Sequence, residues 1–173
     1  MRLMGIDFWH IMPNSADMDA IDAKIVRALQ EDGRLTNLEL ADKVGLSPSP
    51  CLRRVRNLEA SGVIRGCTAL VDQKACGWPI TCLVRIRLGN HSQETVQAFE
   101  KKIAETDAIL DCYLMTGNAD YELRIAARSL DDYEQLVRET IQKLPGIAAI
   151  ETSFAYGVVK KPRILPVIAE KGA

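Results

Sequence analysis

Six side chains between Ser47 and Asn57 have the types and spacing to read a nucleic-acid duplex. On a wheel of about 100° per residue, Ser49, Arg53, Arg56 and Asn57 share one side of this stretch, and Arg54 lies on its flank. Cys51, Leu52, Val55 and Leu58 fall on the opposite side. Arginine can bind guanine bidentately, asparagine can read adenine, and a flank arginine can grip phosphate. Ser47, Ser49, Arg53, Arg54, Arg56 and Asn57 are therefore the candidate contacts to double-stranded DNA. A solvated, charged helix face is the other reading, and this helix alone leaves both open.

The elements that must position these residues decide between them. Thr36 and Glu39 fit a capping box, in which each satisfies an N–H of the other. Leu38, Leu40, Ala41 and Val44 form an apolar stripe, and Gly45 is free to end the helix left-handed. Ser47 then suits an N-cap, with Pro48 at the first helical position. Two short helices joined by such a turn predict a helix-turn-helix. A third helix precedes them, with Asp19 and Asp22 in its first turn, Ile21, Ile25, Ala28 and Leu29 as its stripe, and Gly33 closing it. After Gly62 the run VIRGCTALVD is β-rich, which predicts a small wing or a linker strand. The glycine and proline of residues 72–79 mark a boundary.

Composition narrows the class. The 173 residues are 47% hydrophobic and 26% charged with a net charge of −1, so a packed core is expected and no global basic field is present. The positive charge is local: arginines 53, 54, 56 and 65 stand against the single acid Glu59 between Ser47 and Arg65. Five cysteines show no C-x-x-C pair, which predicts reduced thiols in a cytosol and no metal. No run is long enough to span a membrane. Residues 1–17 are apolar but interrupted by Asp7, His10 and Pro13, and they lack a signal-peptide pattern. They read as an extension outside the core, with an arm against a partner subunit as the alternative.

The remainder repeats strand–helix–strand. Ile80, Cys82, Val84, Ile86 and Leu88 alternate with Thr81, Leu83, Arg85 and Arg87, and Ser92 caps a helix lined by Val96, Phe99 and Ile103. A second strand runs from Ala108 to Thr116, a turn at 117–120 leads into Tyr121–Arg128, and Ser129 caps a helix with Tyr133, Leu136, Val137 and Ile141. A last strand follows from Ala148 to Lys160. The predicted class is α+β: an N-terminal three-helix winged helix-turn-helix domain, then a C-terminal ferredoxin-like βαββαβ sandwich. Two helices cover one sheet face. The other is expected to carry apolar residues such as Leu83 and some of Tyr113, Met115, Phe154 and Tyr156, and to meet a second copy of the chain.

The stretches DAIDAKIVRALQEDGRLTNLELADKVGLS, RRVRNLEASGVI, TGNADYELRI and LPGIAAIETSFAYGVVK, in this order and spacing, resemble the Lrp/AsnC (feast/famine) transcriptional regulators from Met18 to about Pro166. The resemblance implies a DNA-binding domain at 18–66, a linker strand and hinge at 67–79, a RAM-type ligand-sensing and oligomerising domain at 80–166 and a tail at 167–173. It implies homodimers that assemble into tetramers or octamers in the cytoplasm, associated with the nucleoid, and no cofactor. It also implies a small effector, usually an amino acid, bound between dimers. Carried over, that site comprises Leu114, Met115, Thr116, Gly117, Asn118, Asp120 and Tyr121, with Ser153, Phe154 and Ala155 from a neighbouring subunit. Asp120 would meet the effector's ammonium, and Thr116 with the 117–118 backbone its carboxylate. Many relatives carry an acid and an aromatic where Asn118 and Ala119 stand here. Without the family, Gly-Asn-Ala-Asp reads as a plain hairpin turn.

Three alternatives remain from the residues. An enzyme of the siroheme-decarboxylase kind shares the architecture, but the only histidines are His10 and His91, and no nucleophile elbow or phosphate loop is present. A redox sensor would use Cys51, which falls on the apolar side. A DNA-organising protein would wrap DNA with little sequence preference and no effector.

Overall fold

The computed structural model describes residues 2–3, 6–7, 18–160 and 165–167. Two two-residue strands, β1 (Arg2–Leu3) and β2 (Ile6–Asp7), precede the helices. The rest of the 1–17 extension lies outside the described residues. Contacts group residues 18–70 and the 165–167 segment into one unit and residues 71–159 into another. By its contacts the 165–167 segment groups with the helical unit. Gln30 holds it there, accepting the Leu165 N–H (2.7 Å) and donating to the Leu165 carbonyl (3.2 Å).

The first unit has three helices, α1 (Ala20–Glu31), α2 (Asn37–Val44) and α3 (Pro48–Ala60). Asp19 caps α1, accepting the N–H groups of Ile21 and Asp22 at 2.8 Å. The helix ends at Asp32 rather than by a left-handed glycine. The capping box of α2 is complete, with the Thr36 N–H at 2.8 Å from Glu39 and the Glu39 N–H at 3.3 Å from the Thr36 hydroxyl. Gly45 ends α2 at φ +75°, where only glycine is unstrained. The core joins Ile25 and Ala28 of α1, Leu40, Ala41 and Val44 of α2, and Cys51 and Leu58 of α3. Leu38 and Leu52 are corrections: they are 68% and 39% exposed. Leu38 lies roughly 160° around α2 from Leu40, outside the stripe, and Leu52 sits at the edge of its own. The wing or linker strand expected over VIRGCTALVD is also absent among the described residues. An extended run is a strand only when another strand pairs with it, and none here does.

The second unit follows the order β3 (Ile80–Leu88), α4 (Gln93–Ala104), β4 (Ile109–Leu114), β5 (Tyr121–Ala127), α5 (Leu130–Glu139), β6 (Ile147–Phe154). The strands form one antiparallel sheet in the order β4-β5-β3-β6, the ferredoxin-like arrangement. Cys82, Val84, Ile86 and Leu88 alternate inward with Tyr121, Leu123 and Ile125, and pack on Phe99 and Ile103 of α4 and Tyr133 of α5. The last strand stops at Phe154, short of the expected Lys160.

The open sheet face is not the apolar surface expected. Leu83 and Tyr113 are there, among Arg85, Asp111, Glu122, Arg124 and Glu151, which pair across strands: Arg85 with Glu122 at 3.1 Å and Glu151 at 3.9 Å, and Arg124 with Asp111. Phe154 is opposite Cys82, on the helix side, edge-on to Tyr133 with centroids 5.3 Å apart.

Hydrogen bonds from the Thr36 hydroxyl and N–H hold the Glu39 carboxyl below its ordinary value of 4.5. A lowered folded-state value stabilises above that pH, and the stabilisation is lost as pH falls through the folded value. Glu39→Ala is therefore expected to lower the unfolding temperature at pH 7, with the gap to the parent closing in calorimetry as the pH is taken below 4.5.

Candidate nucleic-acid interface and effector site

The helix α3 is fixed in rotation by its buried back. Cys51 and Leu58 lie two turns apart in the core, so Ser49, Arg53, Arg56 and Asn57 are left exposed. Its start is unusual. Ser47 is the N-cap by backbone geometry, but its side chain makes no capping hydrogen bond. Pro48 and Pro50 stand at the first and third helical positions, so the third-position N–H that a serine cap usually takes does not exist. The hydroxyls of Ser47 and Ser49 therefore stay exposed and uncommitted at the tip of the helix. The Asn37 side chain donates to the Pro48 carbonyl at 2.9 Å and ties the start of α2 to that tip.

Arg53 and Asn57, one turn apart, share a concavity of about 460 Å³ with Met18, Asp22 and Ser61. Arg53 and Arg56 form no ion pair among the described residues. Arg54 differs from expectation. Its guanidinium bonds Asp19 at 2.7 Å and Asp22 at 2.8 Å and is 30% exposed, so it braces α3 against the start of α1 and is not a free flank cation for phosphate. The Asp22 N–H and Arg54 together hold the Asp19 carboxyl below its ordinary range. Burial pushes the Cys51 thiol up, which keeps it protonated and unlike a sensor thiol.

In the second unit the turn between β4 and β5 is held by backbone. The Met115 N–H reaches the Asp120 carbonyl at 2.8 Å, and the Asp120 N–H reaches Ile86 at 2.9 Å. Between these anchors Thr116, Gly117 and Asn118 are exposed, and Gly117 has φ +108° with open space where a side chain would be. The N–H groups of residues 116–119 make no hydrogen bond among the described residues. Asp120 is half-buried, and its Oδ2 accepts the Leu88 N–H at 2.7 Å and lies 3.2 Å from His91 Nε2. Tyr121 is a correction. It is 2% exposed, stacked near Phe99 with centroids 4.6 Å apart, and donates to Glu100 at 2.9 Å. It shares a groove of about 400 Å³ with Leu114 between β4 and α4, not the turn.

The structure does not bring Ser153, Phe154 and Ala155 to this turn. Ser153 and Phe154 are on β6, with Ala155 just past its end, three strand spacings or roughly 14 Å from β4, and the register partners Leu83 and Cys82 lie at the far end of β3 from Leu88. Ser153 and Phe154 also face opposite sides of the sheet. Sequence reasoning missed His91, read as a turn residue. Nothing in the sequence signals its contact, which needs β3 and β5 in register.

A helix-turn-helix with a bare polar recognition face, followed by a ferredoxin-like unit, defines a DNA-binding regulator with a ligand-binding domain. The comparisons agree: residues 18–65 match the winged helix-turn-helix DNA-binding family, and residues 81–165 match the Lrp/AsnC ligand binding domain. The chain belongs to the Lrp/AsnC family of transcriptional regulators, which are not enzymes. It is 35% identical over 150 residues to the transcriptional regulator AzlB of Bacillus subtilis, covering 87% of this chain and 96% of that one. It is 37% identical over 145 residues to the leucine-responsive regulatory protein of Escherichia coli, covering 84% and 88%. A transcriptional regulator from Neisseria meningitidis, solved as a complex with L-Met, superposes with a TM-score of 0.80 at 32% identity over 86% of this chain and 96% of that one. No helix among the described residues is long and apolar enough to cross a membrane.

Because Arg54 braces two helices, Arg54→Ala is expected to cost roughly 1 kcal/mol of stability. The loss should shrink in 1 M salt, read as the gap in unfolding temperature between variant and parent.

Proposed function

We propose that this protein is a sequence-specific regulator that reads duplex DNA with α3 and adjusts its binding or assembly to an amino acid held at the 114–121 turn. The uncommitted face of α3 carries this reading. Its back is locked in the core and its tip hydroxyls make no cap, so the helix that presents Ser47, Ser49, Arg53, Arg56 and Asn57 to the groove is fixed in rotation before contact. Arg53 and Asn57 would read base edges, with Arg56 and the serines at the groove and backbone. In division of labour, residues 18–66 bind DNA, 67–79 link, and 80–166 sense and oligomerise, though Arg54 acts as a brace.

The free N–H groups of Gly117 and Asn118 suit a carboxylate, and Asp120 Oδ1, without a hydrogen bond among the described residues, suits an ammonium. An amino acid is the ligand class that presents both. The L-Met complex of the Neisseria protein and the leucine-responsive relative point the same way. Met115 would face its side chain, whereas Leu114 lies with Tyr121 in the groove against α4. Homodimers that build a tetramer or octamer would bring Ser153, Phe154 and Ala155 of a neighbour to the turn, which one subunit does not do. The protein would work in the cytoplasm on the nucleoid.

Two measurements test this. Against a duplex selected from a random pool, Arg53→Ala is expected to weaken binding by about 1–3 kcal/mol and relax preference at one base pair, and unchanged binding would remove α3 from the groove. L-methionine or L-leucine should raise the unfolding temperature of the parent protein, and Asp120→Ala should abolish that rise. A rise that survives in the variant would place the effector elsewhere.

A further inference from the structure

We propose that Asn37 is a positioning residue of the DNA interface, an inference that rests on α3 being the element that reads the duplex. Asn37 is the first residue of α2, on the helix before the reading one. Its side chain is not needed to cap α2, because Thr36 and Glu39 complete the capping box between them. It reaches α3 instead, where Nδ2 donates to the Pro48 carbonyl at 2.9 Å. A carbonyl has two lone pairs, so this bond displaces none of the helix's own.

That bond acts where the core does not. The buried anchors of α3 begin at Cys51, and Ser47, Pro48 and Ser49 ahead of it are exposed. Pro48 and Pro50 fix two φ angles in this leading turn but tie it to nothing. Among the described residues, the Asn37 bond is the one side-chain hydrogen bond made to residues 47–50. The uncommitted hydroxyls of Ser47 and Ser49 are thus carried by the turn that this amide fixes.

The other end of the amide separates positioning from stability. Oδ1 is buried and meets no donor among the described residues. Such an acceptor burdens the folded state and offsets much of what the Nδ2 bond contributes. Alanine at this position would remove the bond and the orphan oxygen together, and it suits a helix better than asparagine. Stability should therefore hardly change, while the leading turn of α3 loses its tie.

The test uses the full-length protein, a duplex selected from a random pool and a scrambled duplex of the same composition. Asn37→Ala is expected to bind the selected duplex about three- to tenfold more weakly, because the leading turn must then be ordered on contact. Its affinity for the scrambled duplex and its salt slope should match the parent's, since no charge is removed. Its unfolding temperature should stay within about 2 °C of the parent's. Ser49→Ala, expected to cost about threefold in the parent, should cost less beside Asn37→Ala. The inference is overturned if Asn37→Ala binds the selected duplex like the parent, or loses the same factor on both duplexes. It is equally overturned if Ser49→Ala costs the same in both backgrounds, or if weaker binding comes with a loss of several degrees, which marks a purely structural role. In those cases Arg53→Ala still weakens binding, and α3 remains the reading element. If Arg53→Ala also binds like the parent, that reading falls and this inference with it.

Discussion

Everything the helical unit offers to solvent follows from which side of α3 is buried. Cys51 and Leu58 are the two side chains of that helix sealed in the core, seven residues apart and so almost in line along the axis. Turning α3 by one residue would draw Leu52 inward, expose Cys51 and break the packing against Leu40 and Val44. Arg54 resists the same rotation from another direction, through Asp19 and Asp22. A helix face whose backbone is rigid before contact loses less affinity to ordering on binding. Apolar burial at the back and a two-carboxylate clamp on the flank supply that rigidity, and neither uses a residue from the front.

The sheet unit shows the same division with a different period. Alternation on β3 sends four residues into the helix-covered core and their neighbours to the open face. Those neighbours are largely ionic, and Arg85 bridges two strands at once, to Glu122 and Glu151. Exposed pairs of this kind add little stability one at a time. They do fix how another surface can lie on the sheet, because a misaligned partner would set like charges together. Leu83 and Tyr113 supply limited apolar area amid that pattern.

Local chemistry made much of this legible from the chain. The Thr36–Glu39 box, the Gly45 stop, the serine caps of α4 and α5 and the β3 alternation depend on residues within one turn or one strand of each other. The misreadings depend on partners far away. Arg54 looked free because Asp19 and Asp22 are 35 and 32 positions earlier. The face of Phe154 stayed open in the sequence because parity on β6 is set by its register with β3, which turns it to the helix side. Residues 63–72 have strand-forming side chains but no strand to pair with. The exposed face of α3 was readable as a wheel. The surroundings of Asp120 were not, since Leu88 lies 32 residues before it.

Asp120 also shows how a fold can anchor a carboxylate and still leave one of its oxygens open. A half-buried carboxylate with no donors would be costly, and one with all its lone pairs filled would be inert. Here one oxygen closes the end of β3 and takes His91, which anchors the group at little expense to its second oxygen. The neighbouring N–H groups of residues 116–119 lie on a largely exposed turn, where water can satisfy them. The sheet therefore fixes the anion, and the turn supplies donors that are ready but uncommitted.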